Sequence, residues 1–115
     1  MDISKLESNI RRATALLKAL SNDHRLLIMC QLTGGEKSVG QLEKQVGLSQ
    51  SALSQHLARL RRDNLVRTRR SAQTIFYSLQ GIEARMVIDT IYDLYCARRG
   101  QLDLPADREA EASWS

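Results

Sequence analysis

The chain has 115 residues, 43% of them hydrophobic and 4% aromatic, with a formal net charge of +4. That length supports one compact domain with a modest core, small enough that dimerisation would help it bury apolar surface. No apolar run approaches a membrane span, and the polar start MDISKLESNIRR does not resemble a signal peptide, so a cytoplasmic protein with no membrane partner is expected. Two cysteines in a reducing compartment are not expected to form a permanent staple. The charge is uneven. Residues 59–70, RLRRDNLVRTRR, hold six arginines against Asp63, whereas residues 101–115 carry four acids against Arg108. Clustered arginine points to a polyanion partner, with a solvated charged face as the plain alternative.

In chain order, Ile3, Leu6, Ile10, Ala13, Leu17 and Leu20 form a helical stripe over residues 3–20. The other faces are polar, so this helix covers its own domain or meets a second copy. Ser21, Asn22 and Asp23 form a capping cluster before a helix through HRLLIMCQL, which Gly34 and Gly35 end. Ser38 with Gln41 fits a capping box for a short helix, SVGQLEKQV, stopped by Gly47. Ser49 caps QSALSQHLARLRR, and Asn64 suits the left-handed position after it. LVRTRR and TIFYSL then read as a β-hairpin separated by Ser71, Ala72 and Gln73. Gly81 restarts helix over residues 82–99. Ile82, Met86, Val87, Ile88, Ile91, Leu94 and Tyr95 make that helix apolar on several sides, which favours a subunit interface. Residues 1–99 are expected to form the domain, and residues 100–115 a flexible tail.

Two helices joined by VGLS form a helix-turn-helix pattern. Leu53, Leu57 and Leu60 share an inward face of the second helix, opposite Ser51, Gln55, Ala58 and Arg62. A helix entering the major groove needs small residues for close approach and amides or hydroxyls to read base edges. Gln50 and Gln55 suit adenine, while Ser51 and Ser54 suit bases or phosphates. Arg59, Arg62, Arg67, Arg69 and Arg70, with Ser38, Ser49, Gln73 and Thr74, form the candidate backbone and wing contacts. Phosphate contacts supply affinity more than specificity. The alternative is a helical hairpin with a merely soluble outer face, which would more often use Glu, Lys or Ala.

ALLKALSNDHRLLIMCQL, SVGQLEKQVGLSQSALSQHLARLRRDNLV and RTRRSAQTIFYSL together resemble the ArsR/SmtB repressors over residues 13–98. The resemblance implies a mainly α (α+β) winged helix-turn-helix fold, with about five helices and a two-stranded β-hairpin wing. It also implies a homodimer through the first and last helices, bound to double-stranded operator DNA at half-sites about 34 Å apart. By the same resemblance Gln50, Ser51, Ser54, Gln55 and His56 occupy the DNA-reading region, and Arg69 to Thr74 approach DNA. Helical projection instead puts His56 nearer the buried leucines.

Many members of this family respond to metals. SVGQLEKQV has no cysteine, however, and Asp89 and Asp93 have no accompanying histidine; Cys30, Cys96 and His24 do not obviously converge. No metal or cofactor is expected. Cys30 in LLIMC and Cys96 in DLYC match the cysteine pair of the BigR/SqrR/HlyU branch. That resemblance implies a sensor of reactive sulfur species such as glutathione persulfide, in which a disulfide or polysulfide bridge lowers DNA affinity. Arg98 and Arg99 would favour thiolate at Cys96, whereas Cys30 among Leu and Met is harder to ionise. Three other readings stay open: a metal-responsive repressor, a constitutive repressor or antirepressor with inert cysteines, and a thiol oxidoreductase. The last lacks the C-x-x-C turn and the alternating β and α pattern of such enzymes.

Overall fold

The computed structural model describes residues 2–97, which form five α-helices, a three-stranded sheet and a terminal π-helical turn. Arg98, Arg99 and the tail expected over 100–115 lie outside the described residues. Helix α1 (Ile3–Leu20) opens on Asp2, whose carboxylate accepts from the Ser4 N–H at 3.1 Å. Its apolar stripe is where the spacing put it, yet it meets little of the chain's own body: Ala19 and Leu20 are buried, while Ile3 is 71% and Leu17 60% exposed.

Helix α2 (Asp23–Leu32) is the pillar of the domain. Asn22 caps it by accepting from the His24 and Arg25 N–H groups, and Arg25 Nε donates to the Ala19 carbonyl at 2.6 Å, fixing the corner with α1. Ile28, Met29 and Leu32 are fully buried, and α2 packs against α1, α3, α4, α5 and β3. Around it lie β1 (Lys37–Ser38), α3 (Val39–Val46), α4 (Gln50–Arg62), β2 (Val66–Ser71), β3 (Thr74–Leu79) and α5 (Ile82–Tyr92).

The expected two-stranded wing forms, and a third strand joins it in one sheet. Its order is β1-β3-β2, all antiparallel, with Lys37 opposite Tyr77 and Ser38 opposite Phe76. A strand of two residues has no alternation to read. It exists because β3 offers a free edge beside the start of α3. The hairpin is also tighter than the expected three-residue separation: Ser71 pairs with Thr74, leaving Ala72 and Gln73 as the turn. Ala72 takes φ 55°, and Asn64, as expected, takes φ 60° after α4.

The last helix does not run on as a single α-helix. After Tyr92 it widens into a π-helical turn, Asp93–Ala97. The Asp93 N–H is shared between the carbonyls of Asp89 and Thr90, and Thr90 Oγ1 donates to the Met86 carbonyl at 2.8 Å. Such back-bonding by a threonine competes with the helical ladder and loosens it.

Candidate nucleic-acid interface and thiol pair

Two caps set the angle between α3 and α4. Ser38 Oγ accepts from the Gln41 N–H at 3.2 Å, and Gln41 Oε1 accepts from the Ser38 N–H at 2.8 Å, completing the expected capping box. Gly47 ends α3 at φ 68°, a left-handed conformation that favours glycine. Ser49 Oγ then accepts from the Ala52 N–H at 3.2 Å and starts α4.

Leu53, Leu57 and Leu60 are buried against the core and hold α4 rigidly from behind. Gln50, Ser51, Ser54 and Gln55 are therefore exposed together on its outer side. Ala58, Arg61 and Arg62 continue that exposed surface. His56 is placed differently: it is half-buried, with its ring 5.6 Å from that of His24 on α2. Burial pushes the His56 pKa down, and the charges of Arg25 and His24 push the same way. The imidazole is thus turned toward α2, as the helical projection indicated.

The arginines differ in what they already hold. Arg62 and Arg70 are exposed, as are Gln73 and Thr74 at the wing tip. Arg59 Nε donates to Asp63 Oδ2 at 2.9 Å, and Arg67 Nε to Ser78 Oγ at 3.3 Å. Arg69 grips Glu36 through Nη2–Oε1 at 2.6 Å and Nε–Oε2 at 3.0 Å. Its guanidinium lies 4.7 Å from the centre of the Phe76 ring. Sequence reasoning left Glu36 out altogether, since nothing local marks a partner 33 positions away. Ser38 is half-buried and Ser49 exposed, and the oxygens of both are occupied as caps.

The thiols stand apart from this surface. Cys30 is half-buried on α2, Cys96 is exposed on the π-helical turn, and both are free. Burial pushes the Cys30 thiol above its ordinary value, and the Cys96 thiol acts on it in the same direction. Helix α2 packs against α5, and Cys96 lies on the π-helical turn that follows α5. Among the described residues no group of three or more His, Cys, Asp or Glu is arranged to hold a metal ion. No described helix is long and apolar enough to cross a membrane. A cleft of about 550 Å³ between α1 and the start of α5 is lined by Asn9, Arg12, Leu16, Asn64 and Glu83, and contains neither thiol.

Residues 22–68 match the family model described as bacterial regulatory protein, arsR family. The chain is 51% identical over 96 residues to the transcriptional activator HlyU of Vibrio cholerae, covering 84% of this chain and 89% of that protein. It is 41% identical over 96 residues to the biofilm growth-associated repressor of Xylella fastidiosa, covering 84% of each. Among solved structures, reduced HlyU from Vibrio cholerae superposes with a TM-score of 0.78 at 52% identity, over 80% of this chain and 97% of the other.

Proposed function

Because the chain belongs to the arsR family of bacterial regulatory proteins, and is a DNA-binding transcriptional regulator, we propose that it is a cytoplasmic homodimeric repressor sensing reactive sulfur species. In this reading, covalent linkage of Cys30 and Cys96 lowers its affinity for operator DNA, and its targets are sulfide-response genes. That the relatives are transcriptional regulators sets the thiol-enzyme reading aside.

The DNA reading follows from α4. Gln50, Ser51, Ser54 and Gln55 present amides and hydroxyls from a helix whose other side is locked by leucines. Side chains of this kind, held on a rigid element, read base edges in the major groove. Arg62 and Arg70, with Gln73 and Thr74 at the wing tip, follow the phosphates. A second copy covers the exposed apolar residues of α1 and α5, Ile3, Leu6, Ile10, Leu17, Ile82, Met86 and Tyr92 among them.

One observation carries the sensing reading: the two free thiols lie on α2 and on the π-helical turn that follows α5. Helix α2 packs against α4, and α5 bears part of the apolar face that a second copy would cover. In the reaction, Cys96 as thiolate attacks the outer sulfur of glutathione persulfide. The sulfur–sulfur bond of that reagent breaks, glutathione leaves as thiolate and takes up a proton, and Cys96 becomes a persulfide. The Cys30 thiolate then attacks Cys96 Sγ, forming the disulfide and expelling hydrosulfide. A longer polysulfide bridge follows if more sulfane sulfur is transferred first. Either bridge ties α2 to the turn that continues α5 and changes the spacing of the two recognition helices.

The test is anisotropy of a labelled duplex enriched from a randomised library by the reduced protein, with intact mass on the same samples. Treatment with glutathione persulfide is expected to weaken binding by about a hundredfold, or about 3 kcal/mol, as the mass records a Cys30–Cys96 bridge. Unchanged binding with both thiols modified would make the cysteines inert and the repressor constitutive.

A further inference from the structure

Glu36 and Arg69 sit at opposite edges of the sheet. In the register of the three strands, Arg69 on β2 faces Phe76 on β3, and Phe76 faces Ser38 on β1. Glu36 is two residues before Ser38, on the same face of the chain's extended run. The Arg69 side chain therefore crosses the whole sheet. It passes over the Phe76 ring and closes a forked ion pair with Glu36 on the far side. Each charge alters the other: the guanidinium holds the Glu36 carboxyl below its ordinary range, and the carboxylate raises Arg69.

The place of this strap matters. The wing hairpin joins β1 through only two residue pairs, Lys37 with Tyr77 and Ser38 with Phe76. Ser38 is also the cap of α3, the first helix of the helix-turn-helix. The base of the wing is held where β2 packs on α4 and β3 on α2 and α3; beyond that base it is joined to β1 by this short ladder, which the Glu36–Arg69 pair extends by one more link. A forked arginine–carboxylate pair fixes direction as well as distance, and stacking on an aromatic face restricts the guanidinium plane.

We propose that Glu36 and Arg69 are positioning residues for DNA binding: the pair sets the wing angle and persists on DNA, so Arg69 is not spent on a phosphate. This rests on the DNA-binding reading above. It reverses the sign that charge alone predicts for Glu36. Removing an acid from a DNA-facing surface ordinarily tightens binding. If the pair were a latch that DNA opens, Glu36→Gln would free Arg69, tighten binding and steepen the salt dependence by about one phosphate contact, or roughly 0.9 in log–log slope.

The experiment measures affinity for the enriched duplex at several salt concentrations for wild type, Glu36→Gln and Arg69→Lys, with thermal melts of each. Lysine keeps the charge of Arg69 but has neither the fork nor the planar stack. The proposal expects both variants to bind about threefold more weakly, with unchanged salt slope and unchanged melting temperature. Tighter binding or a steeper slope for Glu36→Gln overturns it, and so does wild-type affinity in both variants. Should library enrichment yield no duplex that wild type binds, the DNA-binding reading itself fails, which is a separate result.

Discussion

Cys30 and Cys96 should react with a thiol reagent at rates about tenfold apart, with Cys96 the faster. Only the thiolate attacks, and a cysteine at the ordinary value of 9.0 is about 3% thiolate at pH 7.5. Burial moves Cys30 above that value. Each unit of rise removes tenfold in thiolate, and higher nucleophilicity returns about threefold, so the net loss is roughly threefold per unit. Steric access supplies the rest: Cys30 is half-buried on a helix at the centre of the fold, whereas Cys96 is exposed. The assay is a time course with substoichiometric N-ethylmaleimide at pH 7.5, quenched and read by intact mass and peptide mapping. The first adduct is expected on Cys96. Cys30→Ser should keep that initial rate, and Cys96→Ser should slow labelling by about tenfold. Labelling of Cys30 at an equal or greater rate would refute the burial reasoning and the proposed order of attack.

Leu57→Ala should destabilise the protein by about 3 kcal/mol, since the side chain is 2% exposed and its loss leaves a cavity behind α4. Urea unfolding measures this, and a cost under about 1 kcal/mol would mean that α4 collapses onto the gap. Stability should also fall with acid through His56. Its folded pKa is depressed, so above the ordinary value of 6.5 both states are neutral and nothing is lost. As pH falls below that value the unfolded chain takes the proton first, and stability declines until the folded pKa is passed. His56→Gln should flatten this part of the melting-temperature profile between about pH 7.5 and 5.5, and an unaltered profile would contradict the assignment.

What the sequence made legible was local. The stripe from Ile3 to Leu20 forms the helix its spacing predicts, and Ser38, Gln41, Gly47, Ser49 and Asn64 all take their expected cap or left-handed roles. Each of those signals lies within four residues of its effect. What escaped was long-range or too short to have a period. Strand β1 has two residues, and its pairing is decided by an edge on β3. The π-helical turn follows directly on α5, and apolar periodicity does not register that change of hydrogen-bond pattern. In the candidate site, the exposed Gln and Ser face of α4 could be projected from its leucines. The engagement of Arg69 with Glu36 could not, because tertiary placement decides it. His56 was legible in its direction, though its His24 neighbour was not.

The long first helix divides its labour along its length. Its last turn, with Ala19 and Leu20, closes the core, but Ile3, Leu6, Ile10 and Leu17 are only partly covered in a single chain. Burying an aliphatic side chain of this size releases on the order of 1.5–3 kcal/mol. Part of that free energy is withheld from folding and becomes available when another surface covers the helix. Loss of those first turns would therefore spare the fold and abolish the reserve. A melting temperature that climbs with protein concentration would be its thermodynamic trace. Occupancy of DNA at high dilution would then be governed by how many chains have found a partner as well as by the contacts each makes.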